Sequence, residues 1–248
     1  MTWASLWHPD PRVVVRVAPE PWVLSGETQE AVERAWEQYR EQFFRGPVLS
    51  VVGIEPRSDG TVIDARWTDY AHFLYSSRHL NPQHTFYVRV LFAAGCLITA
   101  DGYLLVAVMG PGTSRAGWIQ AVGGSPVPEE ISGGWFDPVA SVVREAREET
   151  GFDLTEGDTL KRIGVVGYTE DQRDGSVAVA IKVELRFTAE EALARFREFQ
   201  RHVPDGELSD LYALPLGEAG LKQLRREGRT RVRYLEPLLL SAELRPEG

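Results

Sequence analysis

Polar and apolar positions alternate strand-like over much of the chain and fall at helical spacing in a smaller number of stretches. RVVVRVA, near the start, predicts a strand. Ser25-Gly26 then leads into ETQEAVERAWEQYREQFF, where Val32, Trp36, Tyr39 and Phe43 recur at helical spacing. VLSVVGI and TVIDARW flank Asp59-Gly60, a hairpin signal, and TDYAHFLYSSRHL predicts a short helix with Thr68 as its N-cap. From Tyr87 the β pattern becomes dense: YVRVLFAAGCLIT, a turn at Asp101-Gly102, then YLLVAVM. A Gly/Pro-rich passage runs through GWIQAVGG to a helix. LKRIGVVGYTE and SVAVAIKVELRF follow as a hairpin around Asp174-Gly175, then the helix TAEEALARFREFQRH, the short strand SDLYALPL and two C-terminal helices. Strands and helices mixed without strict βαβ alternation predict an α+β fold with a mixed sheet and helices packed on its faces. Residues 1–86 read as a small α+β unit, marginal alone, that packs on a larger unit of residues 87–248.

Composition narrows the function classes. With 248 residues, 43% hydrophobic and 25% charged, the chain can bury a sizeable core and does not suggest disorder. A net charge of −9 without a basic cluster argues against a nucleic-acid partner. The one cysteine, Cys96, excludes an internal disulfide and a multi-cysteine zinc site, and suits a reducing compartment. The start, MTWASLWHPDPRVVVRV, lacks a signal-peptide pattern, and no run of about 18 apolar residues occurs, so a soluble, cytoplasmic protein with no membrane partner is expected. The five histidines lack ligand spacing.

The stretch REAREETGF, Arg144 to Phe152, carries the candidate chemistry. On a helix Glu145, Glu148 and Glu149 share one strip of surface, and three crowded carboxylates repel one another. Either the strip faces water with arginines neutralising it, or a cation sits there. Asp137 suits the N-cap, Pro138 the first turn and Gly151 the left-handed stop. Val139, Val142, Val143 and Ala146 form an apolar stripe, which sets the carboxylates beside the buried face.

Arg144, Glu145, Ala146, Glu148, Glu149, Gly151 and Phe152 match the second half of the Nudix signature, G-x5-E-x7-R-E-U-x-E-E-x-G-U, in which U is apolar. Six near-fixed positions agree by chance on the order of once in 10⁷ windows. The preceding hairpin VLFAAGCLITADGYLLVAVM and the strand end AVGGSP fit the same layout, so residues 87–248 resemble a Nudix domain. The first half departs: Phe136 stands where the signature has its first glutamate. If Gly124 is the signature's first glycine, about six extra residues within SPVPEEISGGWF lengthen the loop. Glu129 or Glu130 then supplies the missing carboxylate, or the position is dispensable.

The resemblance implies a Nudix-type α/β/α sandwich and hydrolysis of a nucleoside diphosphate linked to a second group. Glu145, Glu148 and Glu149 would hold Mg²⁺ or Mn²⁺, with Glu148 also catalytic; Arg144 would orient a glutamate, and Glu207 or Glu170 would add a base or ligand from a later loop. Layout, together with ARWTDYAHFL, more loosely resembles enzymes that cut UDP-glucose and UDP-galactose to UMP and sugar 1-phosphate. Tyr70, Phe73 and Trp118 are then candidates for stacking a base, Arg173 and Arg78 for meeting phosphate, and Gly123 and Gly124 for a close turn beneath the helix. Core packing and ordinary surface placement are the competing readings of these residues. ADP-ribose or another nucleoside diphosphate is the alternative substrate, and a nucleotide sensor without turnover the alternative class. A homodimer is common in such a family.

Overall fold

The computed structural model describes residues 5–203 and 206–245, so Pro204 and Asp205 of the loop PDGELSDLY lie outside the described residues. Among the described residues two sheets and six α-helices form an α+β fold, as expected.

The smaller sheet is built from β2 (Val14–Val17), β3 (Pro47–Arg57), β4 (Gly60–Asp69) and the short strands β8 (Ile131–Ser132) and β9 (Trp135–Phe136), in the order β3-β4-β2-β9-β8. β3 and β4 form the hairpin about Asp59-Gly60, with Arg57 opposite Gly60. Helix α1 (Gly26–Trp36) is capped by Ser25 and stops earlier than the periodicity suggests. Tyr39 and Phe43 follow in a turn and still pack with Val32 and Trp36 against helix α2 (Tyr70–His79). The cap of α2 is Asp69, whose carboxylate accepts from the His72 N–H, and not Thr68; the Thr68 hydroxyl is committed to the His72 ring instead.

The larger sheet runs β1 (Ser5–Pro9), β10 (Leu160–Asp171), β11 (Val177–Leu185), β5 (Leu91–Ile98), β6 (Tyr103–Met109) and β12 (Leu208–Pro215), with β7 (Ile119–Gln120) also beside β6. β11 and β5 are parallel and the other pairings in this sheet are antiparallel. Its central strands are apolar on both faces because both faces are covered. Leu91, Ala93 and Leu97 of β5 face the main core, with Val142 and Ala146 of helix α3 (Pro138–Glu145) and its extension and Phe196 of helix α4 (Ala189–His202). Ala94, Cys96 and Ile98 face the opposite layer, beneath Leu224 of helix α5 (Glu218–Arg226) and Leu235, Leu238 and Leu239 of helix α6 (Leu235–Leu240). Helix, sheet and helix thus form three layers, and the smaller sheet closes the main core with Val15, Leu49 and Ile63.

Strand pairing crosses residue 86 in both directions. β1 joins the larger sheet through β10, and β8–β9 join the smaller one through β2, with Val15 opposite Phe136. No helix among the described residues is long and apolar enough to cross a membrane.

Candidate active site

The ends of α3 are those the sequence predicts. Asp137 accepts from the N–H groups of Val139 and Ala140, and Pro138 follows. Gly151 closes the run at φ 75°, where any side chain would be strained and where a Cβ would also meet the Phe199 ring. The middle differs. From Ala146 to Thr150 the helix widens into a π-turn, with the Gly151 N–H reaching back to the carbonyls of both Ala146 and Arg147. Widening the turn rotates later residues away from an ideal α strip, a distortion frequent at functional sites. Glu145, at the end of the α-helical part, and Glu149, within the widened turn, are buried, whereas the Glu148 side chain is 60% exposed.

Beneath the helix runs the segment from β7 to Gly124. β5 and β6 pair only near Ile98 and Leu104, and this segment enters between them. Gly95 donates to Val122 O at 2.7 Å, and Ala93 to Gly124 O at 3.2 Å. The Gly123 N–H donates to Glu149 Oε2 at 3.0 Å. At Gly124 an added Cβ would overlap the Glu145 carboxylate. This close approach is the physical reason for the Gly-Gly pair.

Arg144 organises the polar side. Its Nε lies 2.9 Å from Glu130 Oε1, its Nη1 lies 2.9 Å from both Glu145 Oε1 and Glu148 Oε2, and its Nη2 donates to Ser125 O at 3.3 Å. Those partners hold Arg144 firmly cationic against the cost of its partial burial. Glu130 is buried, and its second oxygen accepts from the Val127 N–H at 3.1 Å. Of the two loop glutamates, Glu130 meets the arginine, and Glu129 is exposed.

One guanidinium does not neutralise this group. Burial raises the Glu145 pKa from 4.5 to about 7 against the opposing pull of Arg144, with Glu207 and Glu148 adding repulsion. Burial raises that of Glu149 to about 8, with Glu145 and Glu207 adding to it. Glu207 therefore sits within electrostatic reach of both helical glutamates, its own carbonyl accepting from the Gly110 N–H at 2.6 Å. Among the described residues no three His, Cys, Asp or Glu side chains gather closely enough to enclose one ion. The donors nevertheless suit a hard divalent cation in type: they are carboxylates, and two of them are buried with excess negative charge.

The remaining residues singled out from sequence are dispersed. Tyr70 and Phe73 pack on each other, and Tyr70 on Phe43, within the α1–α2 cluster. Glu170 pairs with Arg89 at 3.0 Å, Arg173 is exposed on the β10–β11 turn, and Arg78 lies over the Tyr39 ring. Trp118 is half-exposed at the head of β7, with the Arg115 guanidinium 5.7 Å from its ring centre.

Phe136 is not an open place awaiting a carboxylate. It is 5% exposed, on β9, and packs in the main core. The extra loop residues fold into β8–β9 and return Glu130 to the arginine by another route. Phe136→Glu should therefore cost about 3 kcal/mol or more of stability and bring no gain in turnover. Thermal melting beside a rate assay checks this; a variant as stable as the wild type and more active would overturn it.

The chain matches no family model and no curated protein. Solved structures similar to it include DR0079 from Deinococcus radiodurans, 13% identical, covering 78% of this chain and 97% of that one with a TM-score of 0.44. A MutT protein from Methanosarcina mazei Go1 is 17% identical over 46% of this chain and 94% of its own, TM-score 0.28. The Nudix hydrolase RenU from M. smegmatis is 16% identical over 56% and 83%, TM-score 0.28. These likenesses are weak.

Proposed function

We propose that the protein is a Nudix hydrolase cutting the diphosphate of a nucleotide sugar, a UDP-hexose foremost, to the nucleoside monophosphate and sugar 1-phosphate. The observation that carries this reading is the pair of buried, under-neutralised glutamates, Glu145 and Glu149, on a helix matching the family's signature, clamped by Arg144 and seated on Gly123-Gly124.

A diphosphate is itself highly anionic and would be repelled by this site. Glu145, Glu148 and Glu149 would hold Mg²⁺ or Mn²⁺, which supplies charge neutralisation and acidifies bound water. The chain's own residues do the rest. Glu148 is the most accessible of the three glutamates and is oriented by Arg144, so it accepts the proton of the attacking water. As water oxygen bonds to phosphorus, the bridging P–O bond breaks and the second phosphate leaves. Arg144 is positioned in turn by buried Glu130, a charge-assisted bond that fixes the guanidinium plane. Glu207 adds negative charge beside Glu145 and Glu149, as a further ligand or base from the loop before β12.

The test is a panel of UDP-glucose, UDP-galactose, ADP-ribose and NADH with Mg²⁺, Mn²⁺ or EDTA, the products separated chromatographically. UMP and hexose 1-phosphate released only with metal is the expected result. Metal-dependent AMP from ADP-ribose alone would move the substrate class. Nucleotide binding without turnover under any metal would favour a sensor.

A further inference from the structure

Apart from the glutamates, a cavity of about 250 Å³ opens between the loop before α1, α1 itself, the end of β4 and the start of α2. Trp22, Trp67, Val32, Arg45, Thr68 and His72 are among its lining residues. It is smaller than the roughly 300–1,000 Å³ of sites for drug-sized ligands, so it holds a single ring system rather than a whole nucleotide sugar.

Two contacts of the His72 ring fix the hydrogen-bonding state of this wall. His72 Nε2 lies 2.7 Å from Phe86 O, and a carbonyl only accepts, so Nε2 carries the proton. Nδ1 is then an acceptor and takes the Thr68 hydroxyl proton at 2.7 Å. Burial lowers the His72 pKa, which keeps this neutral tautomer. The Thr68 oxygen therefore offers lone pairs to a ligand and no proton.

Both Trp22 and Trp67 are half-buried, and neither indole N–H donates to an acceptor among the described residues. The Trp22 ring meets His72 edge-on, its centre 5.5 Å away. Arg45 is committed to Glu33 through both terminal nitrogens and to Asp69 through Nε. The two charged lining residues, Arg45 and Asp69, balance each other, and the guanidinium donors are already engaged by Asp69 and Glu33, which disfavours a phosphate.

We infer that this cavity binds an uncharged, planar nitrogen heterocycle of nucleobase size, stacked on indole and exchanging hydrogen bonds in both directions with the Thr68 oxygen and the indole N–H groups. Every base presents a π-face, a donor and an acceptor, and stacking supplies the affinity. The site is independent of whether the glutamate helix turns substrate over. Its occupant is either the base of that substrate or a separate nucleoside.

The test is titration of the ¹⁵N-labelled full chain with uridine, cytidine, adenosine and guanosine without metal, following the seven tryptophan indole signals. Trp22→Phe and Trp67→Phe assign two of them. Selective movement of those two signals is expected, with Thr68→Val weakening binding about tenfold. If nucleosides at millimolar concentration leave both signals unmoved, or Thr68→Val and Trp22→Phe bind as the wild type does, the assignment fails. The two indole signals read the cavity in the unaltered protein, so a variant that misfolds does not rescue it. Nucleoside that raises KM for a nucleotide sugar is the substrate's own base; binding that leaves KM unchanged marks a separate ligand. Failure of all hydrolysis would sink the proposed activity without touching the titration.

Discussion

Glu148→Gln should lower kcat roughly 10²–10⁴-fold while substrate affinity changes only a few-fold. The side chain is 60% exposed and its ion pair with Arg144 lies at the surface, so the fold should stay within about 0.5 kcal/mol of the wild type. Loss of turnover without loss of stability or affinity is what distinguishes a group acting on the attacking water from one that merely holds the helix. The measurements are initial rates with saturating metal, calorimetric binding of a UDP-hexose to the variant, and a melting curve. A variant that retains wild-type kcat would remove Glu148 from the chemistry and turn attention to Glu207, the other carboxylate that reaches this group from a loop.

Metal-free protein should lose stability as pH rises through neutrality, and divalent metal should restore it. In the unfolded chain Glu145 and Glu149 titrate near 4.5; in the folded one they titrate at about 7 and about 8. Between those limits the folded protein retains protons that the unfolded chain has released. Their contribution is therefore most favourable below about pH 4.5 and is lost progressively up to about pH 8. Glu145 alone accounts for on the order of 3 kcal/mol, and Glu149 adds less than its separate share because each raises the other. His72, whose pKa burial lowers, works in the opposite sense as pH rises through its unfolded value of 6.5, so the comparison belongs above that pH and against a variant. Between pH 6.5 and 9 the melting temperature of the wild type should fall by several degrees, at roughly 2–4 °C per kcal/mol, and that of Glu149→Gln should fall much less. Added Mg²⁺ or Mn²⁺ should raise the wild-type value most at high pH, where the carboxylates are charged. A wild type and a Glu149→Gln protein with parallel melting profiles would refute the account.

What was legible in the sequence was local. Asp137, Pro138 and Gly151 state the ends of the helix because capping and left-handed backbone are decided within a few residues. Asp59-Gly60 and Asp174-Gly175 state their hairpins for the same reason. The parallel pairing of β11 with β5 and the addition of β8–β9 to the smaller sheet join residues far apart in the chain, and no short pattern encodes them. Misreading Thr68 as the cap of α2 came from two adjacent residues equally able to cap; the structure spends Asp69 on the backbone and Thr68 on a histidine. The π-turn was hidden because a sequence period assumes a uniform helix. Counting on an α strip placed Glu148 beside Glu145 and Glu149 on equal terms, whereas in the structure Glu145 and Glu149 are buried and Glu148, within the wider turn, is exposed. The Gly-Gly pair was recognised as a turn, but its contact with two particular carboxylates required knowing that β5 and β6 part to admit it.

The crossed strands at residue 86 bear on how the protein can be divided. A fragment beginning there would carry away β8–β9 but leave β2, its partner, behind, and it would strip β1 from the edge of β10. Each half would then present bare N–H and C=O groups along a strand that the whole chain keeps paired, together with apolar side chains such as Val15 and Phe136 that face the common core. Such an edge is a template for other chains. The two halves are laced rather than stacked, so severing the connecting peptide produces two sticky surfaces instead of two modules.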